Sequence, residues 1–408
     1  MVCLRLWFVL SMQTSHRPDS ICEVTLSDLR SRLESALWEA RMSAKTVFAI
    51  ARSLLRTAGE PEPPPRDPYV QSVLMSSAVV AWVSDEPDVG CVEYGETPQL
   101  GRKELDTRVD RRHAVKLSNL GPGSRYYYRV MEADGFSEMA RFRTAPMGGG
   151  SRFAFAVVGD SGKGGKRQLA VAELLERLEP DLILHTGDVV YPRGEERHYD
   201  RSYFVPYRRL IKEVPIFPTL GNHDVEKNNG AAYLKNFHLP HNNRQSSQRY
   251  YSFDWGNAHF VALNSELYHE DDSDSPGEQR AWLEHDLSET RQPWKFVFLH
   301  RGLYSSSNHG GDEDIREDLE PVFVRYKVDM VFSGHDHDYE RTVPIKGVIY
   351  VVTGGGGKDL YRARRSKWTA FSKKVHHAVL VRIDGERLSL EAIEPEGAVV
   401  DRLDLDQP

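Results

Sequence analysis

The sequence predicts a mixed α/β region preceded by a small all-β region, and three observations carry the prediction. Residues 68–146 hold short runs rich in Val, Tyr and Trp, separated by turn signals. From Phe153 onward, apolar strand-like runs alternate with stretches of helical spacing. Five of the later apolar runs end in short segments of Asp, Asn or His, the place where open α/β sheets bind ligands.

The bulk properties set the frame. A chain of 408 residues exceeds most single-core domains, so more than one domain is expected. Forty per cent apolar and 28% charged residues suffice for a substantial core. The net charge of -7 argues against a nucleic-acid partner, which calls for a basic surface. Cys3, Cys22 and Cys91 are too few and too scattered for a disulfide framework or a thiolate metal site. The longest apolar candidates, 6–12 and 46–55, are short or interrupted by Arg52, so no membrane span is expected. Arg5 interrupts the first apolar run and no small-residue cleavage site follows it, so no clean signal peptide is read.

In chain order, residues 27–57 show a helical pattern, with Leu29, Leu33 and Leu37 on one stripe and Ser27 as N-cap. Glu60-Pro61-Glu62-Pro63-Pro64-Pro65 then reads as a stiff linker, closing a first segment over 1–67. Strands are expected at 70–75, 78–83, 91–94, 113–117, 126–131 and 140–144, a small antiparallel sandwich over 68–146. Met147-Gly148-Gly149-Gly150 marks the next boundary. In the region 151–408, residues 153–158 form a continuous apolar strand, and Val171, Leu174, Leu175 and Leu178 follow at helical spacing. Further strands are expected at 182–184, 217–220, 258–263, 295–299, 330–332 and 348–352. Residues 378–383, 388–393 and 399–403 read as a closing antiparallel set.

The chemistry lies in five segments: Gly159-Asp160-Ser161-Gly162, Gly187-Asp188-Val189-Val190-Tyr191, Gly221-Asn222-His223-Asp224, Phe298-Leu299-His300 and Gly334-His335-Asp336-His337. Neutral imidazole is the commonest transition-metal ligand. In an extended segment, His335 and His337 point to the same side and face one pocket together. Glycine ahead of four of the five permits a sharp turn over the sheet edge. Together these residues form an oxygen- and nitrogen-rich set large enough for two metal ions. Gly162-Lys163-Gly164-Gly165-Lys166 and Gly354-Gly355-Gly356-Gly357-Lys358 are glycine-lysine rich, yet neither completes a nucleotide-binding loop. Arg362-Ala363-Arg364-Arg365-Ser366-Lys367 reads as a solvated basic loop.

These motifs, with Tyr191 and His337-Asp338-Tyr339-Glu340-Arg341, resemble the purple acid phosphatase branch of the calcineurin-like metallophosphoesterases. The likeness runs from about Pro68 to the end and includes the stretch from Tyr250 to Phe260 and Pro293-Trp294-Lys295. It implies a four-layer αββα sandwich behind a fibronectin type III-like domain, whose tyrosine corner the segment from Leu120 to Tyr128 resembles.

Carried over by motif, the resemblance gives Asp160, Tyr191 and His337 to a first metal and Asn222, His300 and His335 to a second, with Asp188 bridging both. A phenol ionises near pH ~10, so a Tyr ligand suits ferric iron. The second site suits a divalent ion such as zinc, manganese or ferrous iron. The implied activity is acid phosphatase: attack of metal-bound hydroxide on a small-molecule phosphate monoester, assisted by His223 and His309. Two departures from the family pattern stand out. Gly310-Gly311 follows His309 where plant members carry a second histidine, and Asp224 stands where glutamate is usual. The resemblance also implies an extracytoplasmic location. Two other readings stay open: a phosphodiesterase or nucleotide pyrophosphatase with the same metal site, and a binding protein whose site is vestigial. Phe204, Tyr207 and residues 228–248 are candidates for the rim of the site.

Overall fold

The computed structural model describes residues 62–407, apart from 133–134 and 270–274. The helix expected over 27–57 lies outside the described residues. Among those residues, no helix is long and apolar enough to cross a membrane.

The N-terminal strands are β1 (Arg66–Gln71), β2 (Ser77–Gly95), β3 (Arg102–Ser118), β4 (Arg125–Glu132), β5 (Gly135–Phe136) and β6 (Ala140–Arg143). The runs at 78–83 and 91–94 were expected as separate strands but belong to one 19-residue strand. It pairs along its length with β3, and the register shifts between Val83 and Asp88 and again between Val89 and Cys91. Those irregularities absorb the polar Asp85-Glu86 stretch without ending the hairpin, because a bulge re-aims side chains while the ladder continues. β2 also pairs with β1 through its first half and with β4 through Val92 to Gly95, so one strand serves both parts of the sheet. Trp82, Tyr94, Tyr126, Tyr128 and Phe142 are buried between them. The Tyr126 hydroxyl accepts the Gly121 N–H at 2.8 Å, tying down the turn that precedes its own strand.

The remaining strands are β7 (Arg152–Val158), β8 (Leu182–His185), β9 (Ile216–Pro218), β10 (Tyr251–Trp255), β11 (Ala258–Ala262), β12 (Trp294–Phe298), β13 (Met330–Ser333), β14 (Tyr339–Thr342), β15 (Ile349–Thr353), β16 (Thr369–Lys373), β17 (Ala378–Asp384), β18 (Arg387–Ile393) and β19 (Val399–Asp406). They make a six-stranded sheet in the order β19-β18-β17-β7-β8-β9 and a seven-stranded sheet in the order β10-β11-β12-β13-β15-β14-β16. The closing set is antiparallel as expected, and β17 joins it to β7.

The sheets face one another. Phe155 of the first sheet lies 5.1 Å from Phe260 and 5.0 Å from Phe296 of the second, centroid to centroid. Burying each such ring stabilises the fold by roughly 1.5–3 kcal/mol, which is what holds the layers together. On the other face of the seven-stranded sheet, Val261, Val297 and Val331 pack with residues of two helices, Pro276–Glu289 and Glu313–Arg325. The helix Lys166–Leu178 buries Val171, Leu174 and Leu175 and packs on β17 of the six-stranded sheet. The order helix, sheet, sheet, helix is the predicted four-layer sandwich, behind an all-β region.

A buried charged network joins the β-region to this sandwich. Arg66 donates to Asp200 at 2.6 Å, to Asn236 at 2.5 Å and to Glu196 at 3.0 Å. Arg112 adds a 2.7 Å ion pair to Glu196. The guanidinium of Arg66 lies 3.9 Å over the Phe204 ring. Phe204 and Tyr207 are core residues rather than rim residues: both are buried, and Arg66 and Tyr69 of the β-region cover Phe204.

Candidate metal centre

The site is built where parallel strands end. Strands β7, β8 and β9 run parallel, as do β11, β12, β13 and β15, so their C-terminal ends open on one edge. Asp160, Asp188, His300 and the His335/His337 pair lie in loops just beyond these ends, and Asn222 opens the short helix Asn222–Val225 beyond β9.

The reason two imidazoles enter one pocket differs from the sequence expectation. Residues 335–338 are a bend, with His335 at φ +68°, rather than an extended segment. Asp160 at +55° and Asp188 at +52° are also left-handed, a conformation that costs free energy in non-glycine residues and is concentrated at functional sites. The glycines serve close approach as much as turning. Gly221 has an ordinary φ of -115°, yet a Cβ there would lie 2.3 Å from the Asp188 carboxylate.

The seven predicted ligands come together. On one side the Tyr191 hydroxyl donates to Asp160 Oδ1 at 3.1 Å and lies 3.4 Å from His337 Nε2. That same His337 nitrogen is 3.3 Å from Asp160 Oδ1. On the other side, His300 Nε2 is 3.1 Å from Asn222 Oδ1 and 3.2 Å from His335 Nδ1. Asp188 Oδ1 is 3.5 Å from His300 Nε2. One ligand atom each from Asp160, Asp188 and His300 lies within 4.8 Å of the others, and all three residues are buried.

The donor set fits metal ions. Two carboxylates buried this close repel one another unless a cation or proton lies between them. Carboxylate, imidazole, amide and phenol together suit first-row transition ions. Two imidazoles are oriented from behind: His300 Nδ1 meets the Thr186 carbonyl at 2.9 Å, and His337 Nδ1 meets that of Asp359 at 2.8 Å. Each then presents Nε2 inward, the usual way a second layer fixes a metal-binding ring. Burial, reinforced by Asp188 and Asp160, drives the Tyr191 phenol well above its ordinary range. Burial and the neighbouring His300 hold the His335 imidazole far below its ordinary value, so it stays neutral and free to coordinate.

His223 and His309 sit at the edge. The His223 ring lies 4.4 Å from that of Tyr191, with Nδ1 on the Pro192 carbonyl at 2.5 Å and Nε2 3.9 Å from Asp188. The His309 ring lies 4.2 Å from that of His335, and its Nε2 is 3.5 Å from the Tyr361 hydroxyl.

The roles of several residues escaped the sequence reading. Asp336 accepts the backbone N–H groups of Asn308 at 3.0 Å, His309 at 2.9 Å and Gly310 at 3.2 Å, and so holds the loop carrying His309. Asp224 accepts from Gly221, Val189 and Val190 at 3.0, 3.1 and 3.1 Å, tying the Asn222 loop to the Tyr191 loop. Tyr361 stacks on His337 at 4.1 Å, and no local pattern announces it.

Two facing sheets with donor loops at the strand ends define the class, and residues 153–339 match the family model described as calcineurin-like phosphoesterase. Over 341 residues the chain is 30% identical to purple acid phosphatase 21 of Arabidopsis thaliana, covering 76% of this chain and 75% of that protein. It is 30% identical over 289 residues to purple acid phosphatase 23 of the same plant, covering 60% of this chain and 62% of that protein. Purple acid phosphatase PPD1 from yellow lupin seeds (Lupinus luteus) shares the fold: TM-score 0.74 at 23% identity, over 84% of this chain and 74% of that one. This chain belongs to the purple acid phosphatase family.

Proposed function

We propose that the protein is an acid phosphatase that hydrolyses small-molecule phosphate monoesters with two metal ions. Asp160, Tyr191 and His337 would hold a ferric ion; Asn222, His300 and His335 would hold zinc, manganese or ferrous iron; Asp188 would bridge them. The observation that carries the reading is the Tyr191 hydroxyl, buried between Asp160 and His337. A phenol that its surroundings keep protonated becomes a phenolate only beside a strong Lewis acid. When bound, the pair of ions supplies the positive charge that activates water and neutralises the phosphate oxygens.

The chain's own residues do the rest. Asp336 holds the His309 loop and Asp224 holds the loops of Tyr191 and Asn222, so the phosphate meets a preformed pocket. His223 gives its Nδ1–H to the Pro192 carbonyl, so Nε2 holds a phosphate oxygen only when the ring is an imidazolium with a second N–H. His309, on the opposite edge, carries a proton to the departing alkoxide. In this reading 151–408 is the catalytic domain, and the β-region, which begins with β1 at Arg66 and runs to residue 146, is a fibronectin type III-like domain that braces it.

The test is metal analysis and a visible spectrum on protein purified without chelators, for the wild type and Tyr191→Phe. Iron plus one divalent ion, with an absorption band that Tyr191→Phe abolishes, is expected. A metal-replete, active protein that is colourless and indifferent to Tyr191→Phe would sink the assignment. Rates on an aryl phosphate monoester and the matching diester, measured on the same protein, separate monoesterase from diesterase.

A further inference from the structure

Arg301 has no part in the chemistry described so far, yet its guanidinium stands beside the metal centre. It follows His300 just beyond β12, and its backbone N–H donates to Ser265 Oγ at 3.0 Å. Glu266 fixes the side chain, because its two carboxylate oxygens take the Arg301 Nε–H at 2.9 and 3.2 Å. The Glu266 side chain is 1% exposed and also accepts from Ser265 Oγ at 3.0 Å, so the pair is anchored from its buried end. The Arg301 side chain stays 21% exposed.

Held by Nε, the guanidinium turns Nη1 toward the centre, 3.5 Å from His335 Nε2. The other nitrogen of that ring, Nδ1, lies 3.2 Å from His300 Nε2 and is the one that faces the other ligands. The His309 ring is 4.2 Å from that of His335, on the same edge. Arg301 Nη2 has no partner among the described residues, so the guanidinium has donors to spare there. A neutral imidazole that gives one nitrogen to a metal carries its hydrogen on the other. With Nδ1 given to the metal, His335 Nε2–H and Arg301 Nη1–H are two donors at 3.5 Å with no acceptor between them. One anionic oxygen satisfies both, and the bonds from arginine to carboxylate or phosphate are among the strong ones.

We propose that Arg301, together with His335 Nε2–H, binds an anionic group, a carboxylate or a phosphate, on the alcohol part of the substrate, and so selects esters whose leaving group is charged. The proposal rests on the phosphomonoesterase reading above. In that reading the reacting phosphoryl group lies on the Nδ1 side of His335, with Asp188 and His300, and the departing oxygen lies at His309. A leaving group that extends past His309 along the His335 ring meets Arg301. Glu266 holds the guanidinium before the substrate arrives, so little side-chain freedom is lost on binding. Glu266 also balances the guanidinium charge, so the selection comes from the direction of the N–H bonds rather than from net charge.

Binding to the metal-loaded protein tests this without relying on turnover. The probes are propylphosphonate, 3-phosphonopropionate, 4-phosphonobutyrate and propane-1,3-bisphosphonate. They are titrated calorimetrically into the wild type, Glu266→Gln and Arg301→Met/Glu266→Gln, with the metal content of each sample measured. The double variant avoids leaving a buried carboxylate unpaired. The wild type should bind at least one two-anion probe about tenfold more tightly than propylphosphonate, the scale of one charge-assisted contact. Whichever two-anion probe shows the gap identifies carboxylate or phosphate. Glu266→Gln, which still offers Nε an acceptor, should keep the gap, and the double variant should close it. Equal binding of all four probes to the wild type overturns the subsite. So does a gap that survives in the metal-loaded double variant, because the metals alone would then be holding the second anion. Turnover of an aryl phosphate by the same preparations reports separately on the phosphomonoesterase reading.

Discussion

His259 should make the fold lose stability as pH rises from neutrality to about 9. Its two ring nitrogens face two carboxylates, Asp254 at 2.7 Å and Asp286 at 2.8 Å. A neutral imidazole has one N–H and cannot donate to both, so the arrangement requires the imidazolium form. Burial opposes that charge, but the hydrogen bonds to Asp254 and Asp286 outweigh it and push the proton affinity up from 6.5 to about 9. A group with a raised folded value stabilises fully below its unfolded value, and that contribution disappears as pH climbs through the folded value. At about 1.4 kcal/mol per tenfold in proton affinity, the contribution is about 3 kcal/mol. It is present in full below pH 6.5 and absent above about 9. Urea unfolding of the wild type and His259→Gln at pH 6 and pH 9.5 reads it. The gap between the two proteins should be about 3 kcal/mol at the lower pH and close to zero at the higher. An equal gap at both values would show that the charge of His259 does not matter and would refute the reasoning.

Two further outcomes follow from the loops around the metal centre. Asp224→Ala leaves three backbone N–H groups without their acceptor, and at roughly 1–3 kcal/mol for each unsatisfied buried donor a loss of about 3–5 kcal/mol is expected. A urea midpoint giving less than about 1 kcal/mol would mean that the loops hold together without it. His309→Ala should slow hydrolysis of an alkyl phosphate roughly 10²-fold and of a nitrophenyl phosphate far less, because only the poorer leaving group needs a proton. Equal losses on both substrates would exclude proton donation by His309.

Each class of residue was legible in the sequence to the extent that its cause was local. The apolar runs at 153–158, 295–299 and 330–332 became strands because continuous burial leaves a mark on consecutive residues. The ligand-bearing loops could be named because a glycine, or the end of an apolar run, marks where a strand stops. β10, β14 and β16 were harder to see. β14, for example, lies inside the motif that runs on from His337 and is a strand only because β15 and β16 pair with it on either side.

What the sequence by itself determined about this protein is the set of donor residues, their order and the strand ends that carry them. Only the tertiary structure decided which of them meet. It set Asp160, Tyr191 and His337 on one side and Asn222, His300 and His335 on the other, and made a core residue of Phe204. It also put Lys358 against Tyr191. Residues such as Asp160 and His335, 175 positions apart, come together through sheet register and through glycines that let backbones touch, and neither constraint leaves a trace in local periodicity.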